Sequence, residues 1–302
     1  VSVTVEAVLA QVPEWAGRRV ECVPITGGLS HQVLSVRTGD QRYVLRLLDP
    51  AVSLAGLGVP MEQEIANTVL AAETGAGPRV VRVLPEHSAL VLEYVDGETL
   101  SAADVPQHIE GIALACRLLH SGRAFGNEFE VFAKLAELAG LCRAHDLGLP
   151  EGFEQRQPEI DALRRALAAH PLPKVPCHND LLAENFLAQD DRVRIVDYQL
   201  SGMNDPGFEL GDIAAEAQLD PEQTERLARA YFGAELTGAL VARVRLYALM
   251  SDYTWTLWFR IHHGLLPSKA GDFDYAAEAA GKWGRALAVL DGPEYGRLVA
   301  AV

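Results

Sequence analysis

The chain has 302 residues, of which 49% are hydrophobic, and carries a formal net charge of −15. Such a length supports a large core in more than one lobe. The lack of any basic block argues against nucleic acid as a partner, because neutralising a phosphate backbone needs clustered Lys and Arg.

In chain order, the N-terminal "VSVTVEAVLAQVPEWAGRR" alternates apolar with polar residues and has no basic n-region, so it does not read as a signal peptide. No apolar run reaches the roughly 18 to 20 residues that a membrane span requires. The first 95 residues read as strand-rich with one helix. "RVECVPI", "VLSVRT" and "RYVLRLL" are strands, the last two joined by a turn at "GD". "EQEIANTVLAAETGAG" has helical apolar spacing, with Gly75 as its stop. "RVVRVLP" and "ALVLEYV" add two strands. Past "EYVDGETLS" helical periodicity takes over, in "VPQHIEGIALACRLLHS", "EQTERLARAYFGA", "GALVARVRLYALMSDYTWTLWFRIHH" and "DYAAEAAGKWGRALAVL". "RVRIVDYQ" is the exception, a short strand. The boundary falls near Val95 to Gly97, giving lobes of 1–95 and 96–302 with a cleft suited to a small molecule. Cys22, Cys116, Cys142 and Cys177 form no CxxC pair, so reduced thiols in the cytoplasm are expected rather than zinc ligands.

The chemistry concentrates in "PCHNDLLAENFLAQDDRVRIVDYQ", residues 176–199. "HNDLLAEN" has the H-x-D-x-x-x-x-N spacing of a kinase catalytic loop, in which the Asp takes the proton of a substrate hydroxyl and the Asn binds magnesium. Asp180 and Asn185 fill those positions. Asp197, at the end of a strand, is the second carboxylate that a Mg²⁺–phosphate site requires. Taken singly, these residues also fit a helix cap, a backbone-bonded amide and a strand end. The shared spacing favours the catalytic reading.

Between two strands, "ITGGLSHQ" offers Gly27, Gly28 and Ser30 to ATP phosphates, although a hairpin turn would explain the same segment. Arg46 lies in a strand where protein kinases carry Lys, and Glu64 on the following helix is placed to pair with it. Glu93 and Val95, at the lobe connector, offer backbone groups to an adenine edge.

"HNDLLAENFL", "VDYQLSGMNDPGFELGDIA" and "SDYTWTLWFRI" resemble the choline/ethanolamine kinase family, within the aminoglycoside-phosphotransferase-like group. The resemblance runs from "ITGGLSH" to "KWGRAL". It implies an α+β, bilobal, protein-kinase-like fold: a small antiparallel-sheet lobe with one helix that binds the nucleotide, and a larger, mainly helical lobe for catalysis and substrate. It implies ATP and Mg²⁺ as cofactors, Asp180 as the base, Asn185 and Asp197 as metal ligands, and Arg46 with Glu64 as the family's own pair. Glu216 falls where the family has an acidic residue near the ammonium. Trp255 and Trp258 match an aromatic wall and Tyr275 a further aromatic. Cation–π physics supports such a wall for a quaternary ammonium, which has no N–H to donate, although Tyr253, Trp255, Trp258 and Phe259 also read as helix core. His31, Glu209, Ala217 and Glu278 depart from the family pattern. Choline is therefore the first acceptor expected, with ethanolamine, thiamine or another amino alcohol as alternatives. An aminoglycoside phosphotransferase or a catalytically degenerate nucleotide-binding protein of the same fold are the rival readings.

Overall fold

The computed structural model describes residues 5–25, 31–54, 56–190, 192–265 and 273–302. Five strands with β-branched, alternating sequences form one antiparallel sheet: β1 (Val20–Pro24), β2 (Gln32–Thr38), β3 (Gln41–Leu47), β4 (Val80–Leu84) and β5 (Ala89–Glu93), in the order β1-β2-β3-β5-β4. The β2–β3 hairpin turns at Gly39 and Asp40, with Thr38 facing Gln41. Helix Met61–Thr74 follows, closed by Gly75 in the left-handed conformation (φ 79°), as its sequence predicts.

The expectation of a single helix here is corrected. Val5–Leu9 and Pro50–Leu54 are short helices, and Val8, Val12 and Trp15 pack with Leu34, Val36, Leu45 and Val91 into the core of this lobe. Burying those apolar side chains on the sheet gives the N-terminal segment a helical address that its local pattern did not signal.

The second part is mainly helical, around the 28-residue helix Gly238–Leu265. Helices Val131–Ala144, Pro206–Glu216 and Tyr275–Leu290 pack on it. Helices Val131–Ala144, Gln157–Ala169, Pro206–Glu216 and Tyr295–Ala301 are additions to the sequence reading. Two small sheets carry the segment 176–199. Val175–Cys177 pairs with Gly202–Asn204, while Phe186–Gln189 lies between Glu98–Thr99 and Arg192–Ile195. Phe186 and Ile195 are fully buried and face each other across this ribbon, which fixes its register. Among the described residues no helix is long and apolar enough to cross a membrane, and the four cysteines are unpaired.

Candidate functional site

Residues 178–180 leave the Val175–Cys177 strand in a strained turn, with Asn179 at φ 68°. Side chains from below hold that turn. The carboxylate of Glu209, fully buried in helix Pro206–Glu216, accepts the backbone N–H of His178 (2.8 Å) and of Asn179 (2.7 Å). Its oxygen also lies 3.3 Å from His120 Nε2. Burial works against the Glu209 charge, but His120, His178 and these donors outweigh it and hold the carboxyl below its ordinary range. Asp212, one turn on, accepts the Leu181 N–H at 2.7 Å. Its other oxygen accepts from Ser251 Oγ (2.7 Å) and Trp255 Nε1 (2.8 Å). His178 Nε2 lies 2.9 Å from the Val196 carbonyl, so the loop is also tied to the turn carrying Asp197.

Asp180 therefore projects from a loop anchored on both sides. Burial first, then Asp212, Glu216 and Asp197, push its carboxyl well above the usual range, with Lys282 opposing them. Asn185 Nδ2 donates to the Asp180 carbonyl at 2.7 Å, leaving its amide oxygen as the acceptor end. Asp197 sits two residues past the strand Arg192–Ile195 at φ 72°, and its carboxylate pairs with Arg46. Burial would raise its pKa, but Arg46 outweighs that and keeps it low. The Arg46 guanidinium also reaches Glu64 at 2.9 Å. His31 Nδ1 accepts the Asp49 N–H (2.9 Å), so the ring carries its proton on Nε2, 3.3 Å from Glu64.

These groups face a cavity of about 310 Å³ between sheet and helices. Arg46, Glu93, Val95, Asp180, Asn185 and Asp197 line it, with Arg46 and Asp197 in contact, and so do Glu216, Trp255, Trp258 and Phe259.

The model of the phosphotransferase enzyme family matches residues 21–247. A choline/ethanolamine kinase family protein from Mesorhizobium loti has a crystal structure with 35% identity and a TM-score of 0.84, covering 98% of this chain and 96% of that one. The chain belongs to the choline/ethanolamine kinase family of phosphotransferases. Other relatives include protein LicA of Haemophilus influenzae, 26% identical over 79% of this chain and 73% of that protein. Human choline/ethanolamine kinase is 26% identical over 84% of this chain and 76% of its own length.

In this phosphotransferase the residues singled out from the sequence divide into three groups. Asp180, Asn185, Asp197, Arg46, Glu93, Val95, Glu216, Trp255 and Trp258 line one cavity, with Glu64 directly behind Arg46. Gly27, Gly28 and Ser30 lie outside the described residues. Tyr275 is not brought to the cavity wall. It stacks on His262 with ring centres 4.3 Å apart, and meets the cavity-lining Trp258 and Phe259 through that ring and through its own contact with Phe259. The N–H of Glu93 donates to the Arg79 carbonyl (2.9 Å), which removes one of the backbone groups expected to face a nucleobase.

The aromatic stripe also splits. Trp255, Trp258 and Phe259 share the cavity face at helical spacing, while the Tyr253 hydroxyl turns away to the Phe153 carbonyl (3.0 Å). Both indole N–H groups are used, by Asp212 and by the Leu57 carbonyl (3.2 Å).

Sequence reasoning missed Asp212, Asp252 and Lys282. A signal existed for Asp212, a carboxylate three residues after Glu209 within the otherwise apolar run "GFELGDIAA".

Proposed function

We propose that this phosphotransferase moves the γ-phosphoryl group of ATP to the hydroxyl of a small cationic amino alcohol, with choline or ethanolamine as the acceptor. One observation carries this reading: Asp180, Asn185 and Asp197 share a single cavity with Arg46, Trp255, Trp258 and Phe259.

Asp180 orients the acceptor hydroxyl and takes its proton while the oxygen attacks the γ-phosphorus in line. The new O–P bond forms as the bridging bond to ADP breaks. Its raised pKa makes Asp180 a stronger base than an ordinary carboxylate. Arg46, aimed by Glu64, offsets phosphate charge.

The donors also fit Mg²⁺: the amide oxygen of Asn185 and the low-pKa carboxylate of Asp197 are hard oxygen ligands, and no softer ligand stands among the described residues lining the cavity. When bound, the ion would neutralise charge on the phosphates. Asn185 and Asp197 would hold it. The Val95 backbone serves the nucleobase edge. At the acceptor end the aromatic faces attract an ammonium, each contact contributing about 0.5–2 kcal/mol. Most of the acceleration comes from positioning and electrostatics.

The test is ADP release with choline, ethanolamine, thiamine and an aminoglycoside offered in parallel. The highest kcat/KM is expected for choline or ethanolamine; a clear preference for thiamine or the aminoglycoside would overturn the assignment. Asp180→Ala should lower kcat by about 10²–10⁴-fold with ATP affinity little changed. Retained turnover would remove Asp180 from the base role.

A further inference from the structure

The Lys282 side chain has no exposed surface. Its Nζ donates to Glu216 Oε1 at 2.6 Å, lies 3.7 Å from Asp252 Oδ1, and sits 5.7 Å from the centre of the Phe259 ring. Glu216 and Phe259 line the acceptor end of the cavity, so this ammonium stands directly behind the wall that an acceptor would touch. Burial alone would drive it towards neutrality, but Glu216 and Asp252 outweigh burial and hold its pKa above the ordinary lysine value. Asp252 is also matched by Arg285, at 2.8 Å. Two carboxylates thus face two cations of the chain's own. An acceptor arriving at Glu216 meets an ion pair rather than a free anion, and the wall beside that pair is the aromatic surface of Trp255, Trp258 and Phe259, with Asp180 in the same cavity for the hydroxyl.

We propose that Lys282 is a specificity-determining residue, an internal ammonium that consumes the Glu216 charge so that the acceptor site takes an alcohol with one positive centre and rejects alcohols with two or more. This rests on the amino-alcohol reading above and narrows it. A polycationic acceptor needs a carboxylate for each ammonium it buries. Here the second such place is filled by a side chain that cannot leave, because its stem is packed inside the protein.

The experiment compares choline with 1,3-diaminopropan-2-ol, which carries a hydroxyl between two ammonium groups, at saturating ATP. Wild type should use choline at least about tenfold more efficiently in kcat/KM. Lys282→Met frees the Glu216 carboxylate. It should lower the KM for the diamine about tenfold more than the KM for choline, with the KM for ATP within about threefold of wild type. Lys282→Arg keeps the charge and should keep the wild-type preference.

The paired variant Glu216→Gln/Lys282→Met removes both charges together, which buried ion pairs tolerate far better than the loss of one partner. It should still prefer choline over the diamine by at least about tenfold in kcat/KM. Should Lys282→Met not fold, the wild-type comparison and the paired variant decide the question. Three results would overturn the proposal: equal use of both acceptors by wild type, parallel KM changes for both acceptors in Lys282→Met, or a choline KM raised about thirtyfold in the paired variant, since Glu216 would then serve the acceptor directly. Absence of ADP release from wild type with every amine would instead refute the function proposed above.

Discussion

Asp212 is where burial and charge meet most sharply. It sits in a helix in which every residue from Pro206 to Ala215 is buried, and its oxygens accept from Leu181 N–H, Ser251 and Trp255. Those three donors favour the ionised form. Burial first, then Glu216, prevails, and the carboxyl is pushed up to about 7. In the unfolded chain the same group titrates near 3.8. Between those values the native state binds a proton that the unfolded state does not, so the Asp212 contribution to stability falls as pH rises from about 4 through 7. The limiting slope is about 1.4 kcal/mol per pH unit. Asp212→Asn cannot titrate. Its melting temperature is expected to fall less than that of wild type between pH 5 and 8, so that the variant's curve gains on the wild-type curve as pH rises. Parallel curves over that range would mean that Asp212 is ionised throughout.

The site depends on how closely helix Pro206–Glu216 lies against helix Gly238–Leu265. Gly211 makes that contact: a Cβ there would stand 2.6 Å from Ala248 N and 2.7 Å from the Tyr247 carbonyl carbon, both backbone atoms that cannot step aside. Gly211→Ala must part the helices, at a cost of about 1–3 kcal/mol or more. It should also loosen the Asp212 bonds to Ser251 and Trp255, the residues next along the same interface. The expected outcome is a lower melting temperature together with a raised acceptor KM. A variant as stable and as active as wild type would show that the helices have room to spare.

What was legible in the sequence follows the same division between local and distant causes. The Gly75 helix stop, the β2–β3 turn and the 180–185 spacing are local, because backbone conformation and short-range geometry fix them. The partition of the aromatics was not legible. Tyr253, Trp255, Trp258 and Tyr275 look alike as apolar residues, and only the packing of three helices sends Tyr253 and Tyr275 into the core and the two tryptophans to the cavity. Nor was Lys282, whose partners Glu216 and Asp252 lie 66 and 30 residues away in the chain and meet it only in three dimensions.

At the scale of the whole molecule, the two parts of the chain meet around the cavity, and Arg46 from β3 reaches across to Asp197. Arg46 is buried with two carboxylates beside it: burial would lower its pKa, but Asp197 and Glu64 raise it. Such a pair is weak evidence for stability, because desolvating both partners offsets most of their attraction. Its consequence is a fixed alignment of Asp197, proposed to hold the metal, with Arg46, proposed to meet the phosphates, before any nucleotide arrives. A nucleotide that contacts both walls binds the folded chain and not the unfolded one, so it must stabilise the fold by mass action. At a hundredfold excess over Kd that stabilisation is about 2.7 kcal/mol, which for a chain of this size corresponds to a rise in melting temperature of about 4 °C. ATP with Mg²⁺ is expected to give that rise in wild type. Chelating the metal with EDTA should remove a large part of it, and Asp197→Ala should show a smaller rise that EDTA no longer changes. Asn185 alone would then be left to hold the ion, and a single neutral oxygen ligand is too little for one that gives up its water reluctantly. A wild-type rise that is the same with and without metal would take Asp197 out of the metal site, leaving it only its pairing with Arg46.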